Sequence, residues 1–160
     1  RRIALLTPIC KAWGSELGFQ ACSTAMQVFG GYGYIKEYGV EQCMRDIKIA
    51  SIYEGTNHIQ AMDLVGRKLG LRMGGVVNDL MVRMTATVAE LGAAGAEYES
   101  IARNLGDAVE TLSDATSWIM TSGLADPKEA LAGATPYLRI FGVVVGVGVV
   151  IVFLLNYHPS

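Results

Sequence analysis

One carboxylate in this sequence stands where a general base would need to stand. Glu54 lies in the run Ser51, Ile52, Tyr53, Glu54, Gly55, Thr56, Asn57, His58, Ile59, Gln60, where one helical pattern stops and another begins. Thr56 and Asn57 are both good N-cap residues, and Asn57 with Gln60 has the spacing of a capping box. Ile59, Met62, Val65 and Leu69 then recur at helical spacing, which predicts a helix over 56–69. Glu54 is thereby set on a short turn ahead of a helix N-terminus. Gly55 leaves space beside it, and free backbone N–H groups there suit an anionic or acceptor-rich ligand. Proton abstraction needs a carboxylate of fixed aim with room for substrate, and such a turn offers both. A solvated turn glutamate is the competing reading, and on these ten residues alone it is the stronger one.

The elements that must hold this turn read as helices. Thr7 followed by Pro8 predicts a helix start, and Ile9, Trp13, Leu17, Cys22, Ala25 and Val28 carry the pattern to about residue 29. Gly14 and Gly18 inside it mark places where a neighbouring helix can come close. Gly30 and Gly31 end it, as left-handed C-caps favour. A second helix is expected over 40–51, with Val40, Met44, Ile47 and Ile52 on its buried side. Arg45 and Asp46 are neighbours on it and point in different directions, so they are not a mutual ion pair. The helix that follows the turn ends in Gly66, Arg67, Lys68, Leu69 and Gly70, with cations over its C-terminal dipole. The run Gly30, Gly31, Tyr32, Gly33 is a poor dinucleotide fingerprint. That motif needs a strand before it and a helix after it, and here a helix precedes.

Taken together, the separated motifs agree in register. Gln27, Gly30 and Gly31 come first, then Arg45 and Asp46, then Tyr53, Glu54, Gly55 and Thr56. This order resembles the C-terminal helical domain of the flavin-dependent acyl-CoA dehydrogenases, specifically from about residue 7 to residue 69. Gln42 departs from the family signature, which usually carries Lys or Arg there. The resemblance implies α,β-dehydrogenation of an acyl-CoA thioester. Glu54 would remove the α-proton while the β-hydrogen leaves as hydride to FAD, with Gly55 against the substrate. The backbone N–H of Glu54 would help stabilise the developing enolate. It further implies that Gln27, Gly30 and Gly31 lie against the FAD of a neighbouring subunit, and that Thr56, Asn57 and His58 also bind the cofactor. Arg45 and Asp46 would fasten the catalytic turn. An electron-transfer flavoprotein is the implied electron acceptor, and a homodimer or homotetramer the implied assembly.

The second half continues in helices. Residues 70–75 are the expected internal boundary, dividing a C-terminal helical-bundle domain over 1–70 from an extension over 71–160. Val77, Met81, Met84, Val88 and Leu91, then Ile101, Leu105, Ala108, Leu112, Ala115 and Ile119, alternate steps of four and three around residues 92–95. This predicts an antiparallel helical hairpin whose methionines fill core. Asp126, Pro127 and Glu129 start another helix, expected to run through Ala134 and kink at Pro136. The extension resembles that of larger bacterial acyl-CoA dehydrogenases such as the 3-methylmercaptopropionyl-CoA dehydrogenases. Residues 141–155 are almost wholly apolar, yet short of the roughly 20 residues a membrane helix needs. A buried packing helix is the first reading and a membrane-associated tail the second. Residues 156–160 fit no pattern.

Composition narrows the rest. The 160 residues carry a net charge of −2 and no basic block, which argues against nucleic-acid binding through phosphates. Cys10 and Cys22 on one helix would stand roughly 18 Å apart, beyond disulfide reach. With Cys43 they read as mostly buried thiols of a reducing compartment, and no metal site is expected. A bacterial cytoplasmic location follows as an expectation. The chain begins Arg1, Arg2, Ile3 with nothing that reads as a signal peptide, so it is expected to be a piece of a longer protein. The ring-binding domain would lie upstream, and this piece alone would be inactive. The sequence thus predicts an all-α chain of acyl-CoA dehydrogenase type. Its rivals are a catalytically silent helical assembly module of the same descent and an acyl-CoA oxidase.

Overall fold

The computed structural model describes residues 1–157, apart from the side chains of residues 122 and 124; the rest of the patternless tail, residues 158–160, lies outside the described residues. The chain is all-α, with no strand among those residues. Helix α1 (Arg2–Phe29) packs against α3 (Val40–Ala50) and α4 (Asn57–Asp63), with the short α2 (Gly31–Tyr34) at its far end. The predicted hairpin forms from α5 (Gly75–Ala94) and α6 (Glu99–Ala125). The small α7 (Pro127–Ala132) leads into α8 (Ala134–Tyr157), which runs back across α1, α4, α5 and α6.

One hydrophobic core joins both halves. Leu5 and Ile9 of α1, Leu64 and Leu69 after the turn, Met81, Met84 and Leu112 of the hairpin, and Phe141 of α8 all belong to it. Burying each such large side chain is worth about 1.5–3 kcal/mol. Tyr137 meets Phe141 edge-on, with ring centroids 5.7 Å apart, the arrangement that aromatic quadrupoles favour.

Several expectations are corrected. Helix α1 begins at Arg2 rather than at Thr7, so Pro8 sits inside it and is buried. Thr7 turns its hydroxyl back onto the Ile3 carbonyl at 2.8 Å instead of capping forward. Of the two glycines in α1, only Gly18 meets a neighbour: a Cβ there would stand 3.0 Å from Ile47 of α3, whereas Gly14 faces open space. The buried stripe of α1 is Leu5, Pro8, Ile9, Ala12 and Ser15, and Leu17 and Val28 are exposed. Ile52, just after α3, is exposed, and so are Ile59 and Met62, because α4 turns Asn57 and Ala61 inward instead. Residues 64–68 form a wider π turn in which Leu69 N–H bonds to the Leu64 carbonyl at 3.0 Å, and Asp63 pairs with Arg67 and Lys68 across it. The helix expected from Pro127 through Pro136 instead stops at Ala132, and a new one starts at Ala134 with Pro136 in its first turn. Proline is tolerated there because a first-turn N–H has no helical partner to lose. Cys10 and Cys43 are exposed and Cys22 half-buried, so the thiols are free but not mostly buried.

The apolar stretch also differs from its reading. Helix α8 is 24 residues long, which by length and composition is enough to cross a bilayer, and 33% of its most apolar stretch is buried. Ala134, Tyr137, Leu138, Phe141, Val144, Gly148 and Ile151 form a core face. Val143, Val147, Val150 and Leu154 lie exposed on the other. The expectation of a buried packing helix therefore holds for one face only.

Candidate functional site

The turn over residues 51–56 follows directly from α3. Its backbone closes when Ile52 N–H bonds to the Ile49 carbonyl at 2.9 Å and Asn57 N–H bonds to the Ser51 carbonyl at 3.3 Å. Thr56 is the N-cap of α4, its hydroxyl accepting from Ile59 N–H at 3.3 Å. The predicted capping box of Asn57 and Gln60 does not form, because Gln60 Nε2 reaches back past it to the Glu54 carbonyl at 3.1 Å.

Glu54 is exposed and has φ 57, a left-handed conformation costing a non-glycine residue about 1–2 kcal/mol. Gly55 continues the same sense at φ 80, where a side chain would be strained. A Cβ on Gly55 would also come 3.1 Å from Gln60 Nε2, so the space expected beside it is filled by the chain itself. Positive φ alone does not mark a site, since Arg72 and Met73 share it in the turn before α5.

What fixes the Glu54 turn is a polar cluster under it, which sequence reasoning missed. Lys11 Nζ donates to the Gly55 carbonyl at 2.6 Å and to Asn57 Oδ1 at 3.0 Å. Asn57 Nδ2 donates toward the Ala12 carbonyl at 3.3 Å, Ser15 Oγ at 3.1 Å and Glu16 Oε1 at 3.4 Å. Glu16 in turn accepts from Arg139 Nε of α8 at 3.1 Å. The signal was available in Ser15, a polar residue completing an otherwise apolar stripe.

The other expected site residues fall into separate places. Gln27, Gly30 and Gly31 line a shallow depression of about 400 Å³ with Ser23, Met26, Tyr34 and Met44 at the far end of α1. Gln27 lies sixteen positions along the helix from Lys11, about 24 Å at 1.5 Å per residue. A single chain therefore does not bring this cluster to the Glu54 turn. Thr56 and His58 are exposed beside Glu54. Asn57, expected at the cofactor rim, points inward and is buried, its amide committed to the cluster beneath. Arg45 and Asp46 bond one turn back along their own helix, to Glu41 at 3.5 Å and Gln42 at 3.3 Å. Among the described residues neither bonds to the turn they were expected to fasten.

The helical body bears an exposed carboxylate turn, and comparison with known proteins identifies its family. Residues 3–70 match the family model "Acyl-CoA dehydrogenase, C-terminal domain", and residues 80–150 match "Acetyl-CoA dehydrogenase C-terminal like". The chain belongs to the acyl-CoA dehydrogenase family. It is 38% identical over 138 residues to 3-methylmercaptopropionyl-CoA dehydrogenase of Ruegeria pomeroyi, covering 86% of this chain and 23% of that protein. A butyryl-CoA dehydrogenase of Syntrophomonas wolfei is 45% identical over 67 residues, 42% of this chain and 11% of the relative. The Caffeyl-CoA reductase-Etf complex subunit CarC of Acetobacterium woodii is 46% identical over 61 residues, 38% of this chain and 16% of the relative. The chain thus spans less than a quarter of the length of each of these relatives.

Proposed function

We propose that this chain serves as the C-terminal helical portion of an FAD-dependent acyl-CoA dehydrogenase, with Glu54 as the base that takes the α-proton of an acyl-CoA thioester. The observation that carries the reading is the turn itself, an exposed carboxylate held left-handed one residue before Gly55 and a helix cap, within the region of family likeness. The α-proton goes to a carboxylate oxygen of Glu54. The Glu54 N–H makes no hydrogen bond among the described residues, and it suits a thioester oxygen on which enolate charge develops.

FAD fits the exposed backbone at the far end of α1. No atom lies within 4 Å of where a Cβ on Gly30 or Gly31 would stand, so a diphosphate can approach main chain there. Gln27, Gly30 and Gly31 would hold one part of the cofactor, and Thr56 and His58 another, with Asn57 supporting from beneath. When bound, FAD supplies the acceptor for the β-hydrogen as hydride. The separation of the two clusters along α1 supports their serving different subunits of a homodimer or homotetramer. Because one relative is named as part of an Etf complex, an electron-transfer flavoprotein is the proposed acceptor. The 160 residues alone are not expected to turn over, since the remaining walls of such a site would come from outside them.

The test is Glu54→Gln in the full-length, FAD-loaded enzyme, mixed anaerobically with a panel of thioesters from butyryl-CoA to palmitoyl-CoA plus 3-methylmercaptopropionyl-CoA. Flavin reduction should slow by about 100- to 10,000-fold, the usual worth of a general base, with FAD content unchanged. Near-normal reduction by the variant would place the base elsewhere.

A further inference from the structure

The two carbonyls of the catalytic turn are each held by a side-chain donor from a different helix. Gln60 of α4 holds the Glu54 carbonyl at 3.1 Å, and Lys11 of α1 holds the Gly55 carbonyl at 2.6 Å. The Gln60 contact is local, six residues apart, and moves with the turn. The Lys11 contact spans 44 residues and, together with the Asn57 amide, ties the turn to α1. The same ammonium donates to Asn57 Oδ1 at 3.0 Å, one residue beyond the cap. Lys11 therefore grips both sides of Thr56, and the peptide following Gly55 cannot rotate without breaking a charge-assisted bond.

Helix α1 is in turn seated where Lys11 leaves it. Trp13 lies in a notch of α8 so close that a Cβ on Gly142 would stand 2.5 Å from its Cγ, and one on Gly146 2.7 Å from its Cη2. Ala12, the carbonyl of which receives Asn57, is buried against the same core. The turn is thus referenced through Lys11 to a closely packed part of the fold. This matters because Glu54 has φ 57, which L side chains rarely hold without support.

We infer that Lys11 is a positioning residue for proton abstraction. By holding the Gly55 carbonyl and Asn57 it keeps Glu54 in the left-handed conformation that aims its carboxylate, without touching substrate. The inference rests on the reading of Glu54 as the base. Loss of the ammonium frees the turn to relax, and displacing a reacting group by as little as about 1 Å can cost on the order of 100-fold in rate.

The experiment uses the full-length FAD-loaded enzyme and the panel thioester that reduces the wild-type flavin fastest. Lys11→Met keeps the stem and removes the charge. It should slow flavin reduction at saturating thioester by about 100-fold, while FAD content, thermal midpoint and half-saturating thioester concentration stay at wild-type values. Lys11→Ala, assayed with added propylammonium, should recover a good part of its rate. Wild-type reduction by Lys11→Met overturns the inference. So does a destabilised Lys11→Met whose alanine counterpart is not rescued, because Lys11 would then be holding the fold alone. Glu54→Gln run alongside separates the two claims. If it reduces flavin normally, the base assignment fails whatever Lys11 does, whereas a dead Glu54→Gln beside a normal Lys11→Met overturns only the positioning role.

Discussion

Tyr137 and Thr116 show how a single hydroxyl pair inside the molecule can be read from valence alone. Thr116 Oγ1 lies 2.7 Å from the Leu112 carbonyl and 2.7 Å from Tyr137 Oη. Its single proton goes to the carbonyl, which has none to give, so Tyr137 must donate to Thr116. Burial pushes the Tyr137 phenol well above its ordinary range. A raised phenol means the folded state holds the proton more tightly than the unfolded chain does. That stability is fully present below the unfolded pKa of about 10 and is lost as pH rises above it. Tyr137→Phe should therefore cost about 1 kcal/mol near neutrality. It should also flatten the loss of stability between neutral pH and about pH 11. Urea unfolding of both proteins across that range checks it, and an unchanged alkaline slope would show that another group controls it.

Among the elements, α8 depends most on a contact invisible in its own composition. Gly142 and Gly146 matter because Trp13 occupies the space their side chains would fill. Gly142→Val should force the indole or the helix to move, destabilising by about 1–3 kcal/mol as overpacking does. Gly14→Ala, on the open side of α1 with nothing within 4 Å, should instead stabilise by roughly 1 kcal/mol through helix propensity. Thermal melts of the two variants should shift in opposite directions. A Gly142→Val protein that melts like wild type would mean that α8 does not rest on Trp13.

At the scale of the whole molecule, the exposed apolar residues fall on identifiable surfaces. Val28, Phe29, Tyr32 and Tyr34 surround the far end of α1, where Gln27, Gly30 and Gly31 lie. A Cβ on Gly31 meets nothing within 4 Å in this chain, so Gly31→Val should change the folded stability of the 160 residues little. If that surface meets FAD and a neighbouring subunit, the same substitution should make the full-length enzyme lose FAD and dissociate. Flavin absorbance and gel filtration of full-length protein, beside melts of the short chain, separate the two effects. FAD retention at the wild-type level would leave these glycines as a helix terminator only.

Local chemistry determined much of this. Helical spacing foretold α3, the α5 and α6 hairpin and a helix after Thr56, because amphipathic period is written in residues three and four apart. Capping chemistry placed the Thr56 and Asp126 helix starts for the same reason. Glu54 was legible as a turn carboxylate, flanked as it is by a helix end and a cap. What period cannot say is which body covers an apolar stripe, so Leu17, Val28, Ile52, Ile59 and Met62 read as core and lie exposed. Nor does spacing show whether a polar side chain faces solvent or a partner 44 residues away. Asn57 looked like a ligand-facing cap residue, and nothing in the pattern around Lys11 set it apart. Only the packing of α1 against α4 turned the Asn57 amide inward, brought the ammonium under Gly55 and made the two one cluster, because hydrogen bonds across helices depend on their relative placement and not on either sequence alone.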